Sequence, residues 1–320
     1  EIPKEVNVLT PYNTRIMRKI VLSDNIVCKV IKHLCFNYMT GFLFSTNRGY
    51  DYAISYSGYY SFIDMLIAYS FSEKKFIWVH TDMKTRYEQE EKYRNKIDRV
   101  KRKYRKFDKV VGVSEGVKKR FCKLFPEYKN KVTYLWNLMD YSSSGKKNNI
   151  VLKGDYKIVS VGRLCIQKRF DKAIDVLEKV DGSVLYLIGD GILKNTLKER
   201  IKDKNLTDKV KLLGSQKNVI EIVKQADLFL STSDYEGLPT VLLESLIAGV
   251  PIVATDVCGN SDIYKYIAPK DSMILCNTDV DSIADSIKKA REGKISKKFD
   301  FDVNDYNNNV MERFYKLLGD

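Results

Sequence analysis

The 320-residue sequence contains only two histidines, His33 and His80, and none of its six cysteines stands in a C-x-x-C pair. That excludes the common zinc ligand sets. The thiols Cys28, Cys35, Cys122, Cys165, Cys258 and Cys276 are read as reduced cysteines of a cytosolic protein. Long hydrophobic runs are also missing. The two longest, "SFIDMLIAYSF" (61–71) and "VLLESLIAGVPIVA" (241–254), are interrupted by Asp64, Glu244 and Pro251. Neither reaches the ~18 apolar residues of a membrane-spanning helix. The opening residues do not read as a signal peptide. The first residue is Glu rather than Met, and "EIPKEVNVLT" reads as the continuation of an earlier unit, so the natural start is expected upstream.

What is present is an uneven charge. Residues 1–150 carry 29 Lys and Arg against 15 Asp and Glu, a net +14, whereas residues 151–320 carry 26 of each. One half therefore has a basic face suited to an anionic partner. The length predicts two domains.

The second half alternates short apolar strands with helical patterns. Strands are expected at 156–162, 183–191, 209–214, 227–233, 251–256 and 272–276. Helices are expected at 169–180, 192–201, 218–226, 239–248, 280–292 and 303–318. Strands apolar at successive positions, separated by helices, predict a parallel sheet covered on both sides. The first half alternates more loosely, with strands at 52–56, 75–80, 109–114 and 131–137 and helices at 59–70, 87–106 and 115–124. The polar stretch "DYSSSGKKNNIVLKGD" (140–155) is the linker candidate.

The stretch "SDYEGLPTVLLESLIAG" holds Glu236 and Glu244 with seven residues between them. A strand ending near Ser233 delivers the chain to the carboxyl edge of a parallel sheet, where such folds bind ligands. Gly237 permits a tight backbone, Leu238 follows, and Pro239 fits the first turn of a helix. The amides of Thr240 and Val241, with the helix dipole, favour an anion. Glu236 lies just before that seat. Glu244, just over one turn into the helix, is placed to accept bonds from vicinal hydroxyls such as those of a ribose. The plainer alternative is an acidic first turn with Glu244 facing solvent. In "GRLCIQKRFD" (162–171), Arg163 and Lys168 reach the same sheet edge, where a fork and a point charge together grip a diphosphate. A solvated Arg and Lys on a loop is the alternative. "GDG" (189–191) reads as a turn.

These residues taken together, "VGRL…QK.FD", "LIGDG", "KLLG…NV" and "ADLFLSTSDYEGLPTVLLESLIAGVPIVATDV.G", resemble the retaining nucleotide-sugar glycosyltransferases of family 4. The resemblance is close over 105–265. It implies an α/β protein of GT-B architecture, two Rossmann-like doubly wound parallel-sheet domains facing a cleft. One domain is expected to comprise residues 1–140 with the returning segment 303–320, the other 141–302. The resemblance further implies that Arg163 and Lys168 bind the donor diphosphate, Glu236 the donor sugar and Glu244 the nucleotide ribose. It makes His80, ending the strand in "WVHTDM", a candidate facing the donor sugar, beside the alternative of a structural histidine. "VGVSEGVKKRF" matches a strand–turn–helix with Ser114 as the N-cap. In "YLWNLMD", Asn137 reads as structural. Family members open with a strand and a Gly-rich loop that nothing in 1–50 matches; at least ~30 residues are expected to be absent.

The expected reaction is transfer of a sugar from a nucleotide-diphosphate donor, read as a UDP-sugar, to a glycan or lipid-linked glycan acceptor. Bacterial surface polysaccharide assembly is the context by analogy. No cofactor and no metal are expected. The triplets at Asp279–Asp281 and Asp300–Asp302 are read as helix caps. The alternative function is a nucleotide-sugar-binding α/β protein without turnover. In 91–107, Tyr93, Ile97, Val100, Tyr104 and Phe107 form one apolar stripe on an otherwise basic helix. This fits a packed helix with a solvated face, or attraction to anionic lipid at the inner face of the membrane. Nucleic acid is not expected, because no binding motif accompanies the charge.

Overall fold

The structure, a computed structural model, describes residues 50–319 apart from 57–63, 65–66, 71, 92–96, 141–148 and 297–298. The opening 1–49, Tyr93, most of the expected helix 59–70 and the centre of the linker lie outside the described residues.

The described chain is built on two sheets. The first has the order β1-β2-β3-β4, from β1 (Tyr50–Ser55), β2 (Ser72–Val79), β3 (Lys109–Gly112) and β4 (Val132–Tyr134). The second has the order β10-β9-β8-β5-β6-β7. Its strands are β5 (Tyr156–Val161), β6 (Ser183–Ile188), β7 (Val210–Gly214), β8 (Leu228–Ser231), β9 (Ile252–Thr255) and β10 (Met273–Cys276). Every described pairing is parallel. Ile158, Val159, Phe229, Leu230, Ile252 and Val253 are all fully buried. Neighbouring residues point to opposite faces, so both faces of the second sheet are covered, which is why its strands show no polar alternation. This is the expected GT-B architecture of two Rossmann-like domains.

The helices are α1 (Met83–Gln89), α2 (Ile97–Tyr104), α3 (Glu115–Leu124), α4 (Phe170–Val176), α5 (Lys194–Asp203), α6 (Val219–Val223), α7 (Thr240–Ile247), α8 (Cys258–Tyr266), α9 (Val280–Lys289) and α10 (Val303–Leu318). Helices α3 and α10 match the sequence reading. Ser114 caps α3 through Val117 N at 3.2 Å. Asp279 caps α9 through Ser282 N at 2.8 Å, and Asp302 caps α10 through Asn304 N at 2.7 Å. Gly249 follows α7 with φ +71°, the left-handed stop that glycine adopts without penalty.

Three departures have physical causes. The single helix expected over 87–106 is interrupted: α1 ends at Gln89 and Glu90 is extended, with φ −104° and ψ 103°. There its carboxylate leaves the helix to meet Tyr235 from the second sheet, a tertiary contact that local periodicity cannot show. Helix α8 was not anticipated, because Gly259 and Asn260 in its first turn are poor helix formers. Pro239 precedes α7 as its N-cap rather than standing in its first turn. Among the cations of α2, Lys103 turns inward and pairs with the fully buried Asp64 at 2.6 Å, while Lys101 and Arg102 stay exposed. Tyr104 and Phe107 of the apolar stripe are buried.

Helix α10 returns to the first sheet. Tyr52 Oη donates to Leu318 O at 2.8 Å, and Asn307 exchanges two 2.9 Å bonds with the backbone of Met139. Trp136 stacks on Tyr306 at 6.1 Å, and the Arg313 guanidinium lies 4.6 Å and 4.7 Å from the ring centres of Tyr134 and Trp136. Asn137 is structural in this setting, its carbonyl accepting from Tyr306 Oη at 2.7 Å. No described helix is long and apolar enough to cross a membrane.

Candidate active site

The winding of the second sheet reverses between β5 and β8, its two central, sequence-distant neighbours. Loops leaving the carboxyl ends of two such strands diverge to opposite faces and leave a crevice between them. The loop after β5 carries Arg163 and Lys168; the loop after β8 carries Glu236. The two loops are zipped together. Asp234 N donates to Gln167 O at 2.9 Å, Thr232 Oγ1 to the carbonyls of Lys168 and Arg169 at 2.9 Å, and Gln167 Nε2 to Tyr235 O at 2.7 Å.

Within that frame Lys168 Nζ lies 2.6 Å from Glu236 Oε1, which also accepts from Ser233 Oγ at 2.7 Å. Glu236 is buried, at 6% exposure. Lys168 closes a short turn at 166–168 ahead of α4. Arg163, on the same loop, is exposed, and its side chain makes no ion pair or hydrogen bond among the described residues. A half-buried, paired cation and an open one thus share one loop, beside the start of α7. There Leu242 N bonds to Pro239 O at 3.1 Å, leaving the preceding amides of Thr240 and Val241 directed out of the helix end. Thr240 is exposed, Val241 half-buried, and Leu238 and Pro239 are buried.

Glu244 is half-buried rather than solvent-facing, and its carboxyl has no ion-pair or hydrogen-bond partner among the described residues. Burial alone pushes its pKa upward. His80 directly follows Val79, the last residue of β2, and its Nε2–H donates to Tyr56 O. Burial lowers the pKa of the imidazole, and that carbonyl opposes the shift. Its backbone forms the opposite wall: a Cβ on Gly237 would lie 2.1 Å from His80 O and 3.1 Å from Thr81 Cα. Only glycine lets the Glu236 loop come this close to the first sheet.

Sequence reasoning missed the residues that hold the site rather than form it. Arg169, at φ +49°, pairs with Asp171 and Asp234, each at 2.9 Å, and Lys172 reaches Asp234 at 3.0 Å. Gln167, Ser233 and Tyr235 complete the support. They show no periodicity; the one legible hint was their adjacency to Lys168 and Glu236. Four further bridges join the sheets: Gly116 N to Asp262 Oδ2 at 2.7 Å, Tyr266 Oη to Glu115 Oε2 at 2.6 Å, Tyr235 Oη to Glu90, and the Gly237–His80 approach. The cysteines Cys122, Cys165, Cys258 and Cys276 are free thiols.

Several known proteins are similar to this chain. The family model for glycosyl transferases group 1 matches residues 144–304. The N-acetylgalactosamine-N,N'-diacetylbacillosaminyl-diphospho-undecaprenol 4-alpha-N-acetylgalactosaminyltransferase of Campylobacter jejuni is 33% identical over 156 residues, 48% of this chain and 42% of that one. The UDP-Gal:alpha-D-GlcNAc-diphosphoundecaprenol alpha-1,3-galactosyltransferase of Escherichia coli is 29% identical over 150 residues, 45% of this chain and 38% of that one. The matched part thus spans less than half the length of these relatives. Among solved structures, Anabaena HepE in complex with UDP-glucose has a TM-score of 0.66 at 14% identity, covering 90% of this chain and 81% of that one. That likeness is one of fold. The family match spans half of the chain, including every site residue proposed on the second sheet: the chain belongs to the group 1 glycosyl transferase family.

Proposed function

We propose that the protein is a retaining glycosyltransferase that takes a sugar from a UDP-sugar and passes it to a glycan or lipid-linked glycan in surface polysaccharide assembly. The observation that carries this reading is the Lys168–Glu236 pair, which joins the loops leaving β5 and β8 at the switch point, with Arg163 on the first of these loops and the amino end of α7 closing the second. The relatives that act on diphospho-undecaprenol-linked sugars support the acceptor class.

In this reading, the bond between the anomeric carbon and the β-phosphate oxygen breaks and negative charge grows on the departing diphosphate. Arg163, Lys168 and the α7 amides stabilise it as preorganised charge, so the reaction needs no metal. Glu236 orients the sugar and offsets positive charge at its anomeric carbon. The acceptor hydroxyl attacks from the face the diphosphate leaves and gives its proton to the leaving phosphate oxygen. Glu244 receives the ribose hydroxyls, and His80 faces the sugar across the cleft. The first unit, 1–140 with 303–320, carries the acceptor side, and the exposed cations of α2 meet anionic lipid at the membrane's inner face.

A thermal-shift screen of nucleoside diphosphates tests the site. Selective stabilisation by UDP is expected, shrinking in Lys168→Ala and Arg163→Ala. Donor turnover is expected to vanish in Glu236→Ala and to persist in EDTA. Full turnover by both Glu236→Ala and Arg163→Ala would sink the reading. UDP binding without any turnover would favour a binding protein.

A further inference from the structure

Four consecutive residues at the site are gripped alternately from two sides. Asp234 is held by Arg169 and Lys172 of the second sheet's lobe, at 2.9 Å and 3.0 Å. Tyr235 crosses the cleft, and its hydroxyl donates to the carboxylate of Glu90. Glu236 is held by Lys168 and Ser233, back on its own side. Gly237 then seats against the backbone of His80 and Thr81 on the first sheet's side. Glu90 is itself fixed: its N–H caps α1 through Arg86 O at 2.9 Å, and Arg86 Nε lies 3.3 Å from its carboxylate.

Tyr235 is 4% exposed, and a hydrogen bond to a carboxylate in such a setting is among the stronger neutral-donor contacts. Separating the lobes would break it, bare a buried aromatic and free the backbone between Asp234 and Gly237. With one covalent bond between Tyr235 and Glu236, that freedom passes directly to the Lys168–Glu236 pair.

We propose that Tyr235 is a positioning residue for the transfer reaction: by donating to Glu90 it holds Glu236 and Lys168 in register only while the two lobes touch. The inference rests on the site reading above. It makes assembly of the site conditional on lobe contact, which limits turnover when the cleft is open to water.

Tyr235→Phe removes one hydroxyl and leaves the ring in place. The test compares Tyr235→Phe, Glu90→Ala, Glu90→Gln and the Tyr235→Phe/Glu90→Ala pair in the full chain. Three readouts apply: small-angle scattering without nucleotide, UDP affinity by calorimetry, and hydrolysis of UDP-glucose, UDP-galactose and their N-acetylated forms. Tyr235→Phe and Glu90→Ala are each expected to enlarge the radius of gyration and to lower kcat about tenfold. UDP affinity should fall by less than kcat does, because Arg163, the α7 amides and Glu244 keep their places on the second sheet's lobe when Lys168 loses its register. The double variant should be no worse than either single one, and Glu90→Gln, which keeps an acceptor, should recover most of the loss. Unchanged scattering and kcat in both single variants would overturn the proposal. So would additive losses, or a fall in UDP affinity matching the fall in kcat. If the unmodified chain neither binds UDP nor turns over a donor, the proposed function fails, and the scattering comparison alone still decides this inference.

Discussion

Lys168 Nζ sits 2.6 Å from Glu236 Oε1, joining the two loops that leave β5 and β8, with both side chains largely withdrawn from water. Removing one member of such a pair strands the other charge, whereas removing both is tolerated far better. Lys168→Met is therefore expected to destabilise the fold by about 3 kcal/mol, and Lys168→Met/Glu236→Gln to recover most of that loss. Urea denaturation of the three proteins measures this; equal losses in the single and double variants would contradict the pairing.

Arg163 gives the opposite expectation. It is exposed and unpaired among the described residues, so Arg163→Ala should leave stability within about 0.5 kcal/mol. UDP affinity should nevertheless fall about tenfold or more, since a charge-assisted contact to phosphate is lost. A variant that unfolds earlier but binds UDP normally would assign Arg163 a structural role instead.

Glu244 weakens the fold at neutral pH. Burial raises its pKa and no partner compensates. A raised acid is most favourable to the fold below its unfolded value of about 4.3, and stability declines as the pH climbs through the higher folded value. Glu244→Gln removes that decline and should stabilise the protein at pH 7 by on the order of 1 kcal/mol, while weakening UDP binding. Melting temperatures at pH 4 and 7, with calorimetry for UDP, check both halves; a variant less stable at pH 7 would refute the account.

His80 works in the other direction. Burial depresses its pKa, so the fold has its full contribution above the unfolded value of about 6.5 and loses it as the pH falls toward the folded value. Unfolding between pH 7 and 5 should be less pH-sensitive in His80→Asn than in the unmodified protein. Identical slopes would show that His80 is not the group responsible.

Gly237→Ala places a methyl 2.1 Å from His80 O, a backbone atom that cannot turn aside. The Glu236 loop must retreat from the first sheet. Loss of at least tenfold in donor turnover with a lowered melting temperature is expected. An active, stable Gly237→Ala would mean that the two loops can part at little cost.

Much of this was legible in the sequence. The second sheet announced itself because strands covered on both faces carry unbroken apolar runs, as in "LFLS" and "IVAT". The places of Glu236 and Arg163 were legible because charged residues just past such strands fall at the carboxyl edge of the sheet. Beyond reach were the contacts made at long sequence separation. Nothing near Glu90 foretells a tyrosine 145 residues away. Nor does the "CGNSDIYKY" segment look helical, although Asp262 within it accepts from Gly116 N across the cleft. Lys168 was read correctly as a cation at the edge, but that its nearest neighbour is a buried acid depends on how two loops fold over each other.

The return of α10 to the first sheet bears on how the protein comes into being. The first sheet's lobe draws on sequence from both sides of the other, with Tyr306 and Arg313 clasping Trp136. During synthesis the second sheet, contiguous in sequence, can complete itself as it emerges, whereas its partner must wait until residues 303–318 have left the ribosome. A ribosome stalled before that point would present a finished second-sheet lobe tethered to an unfinished one.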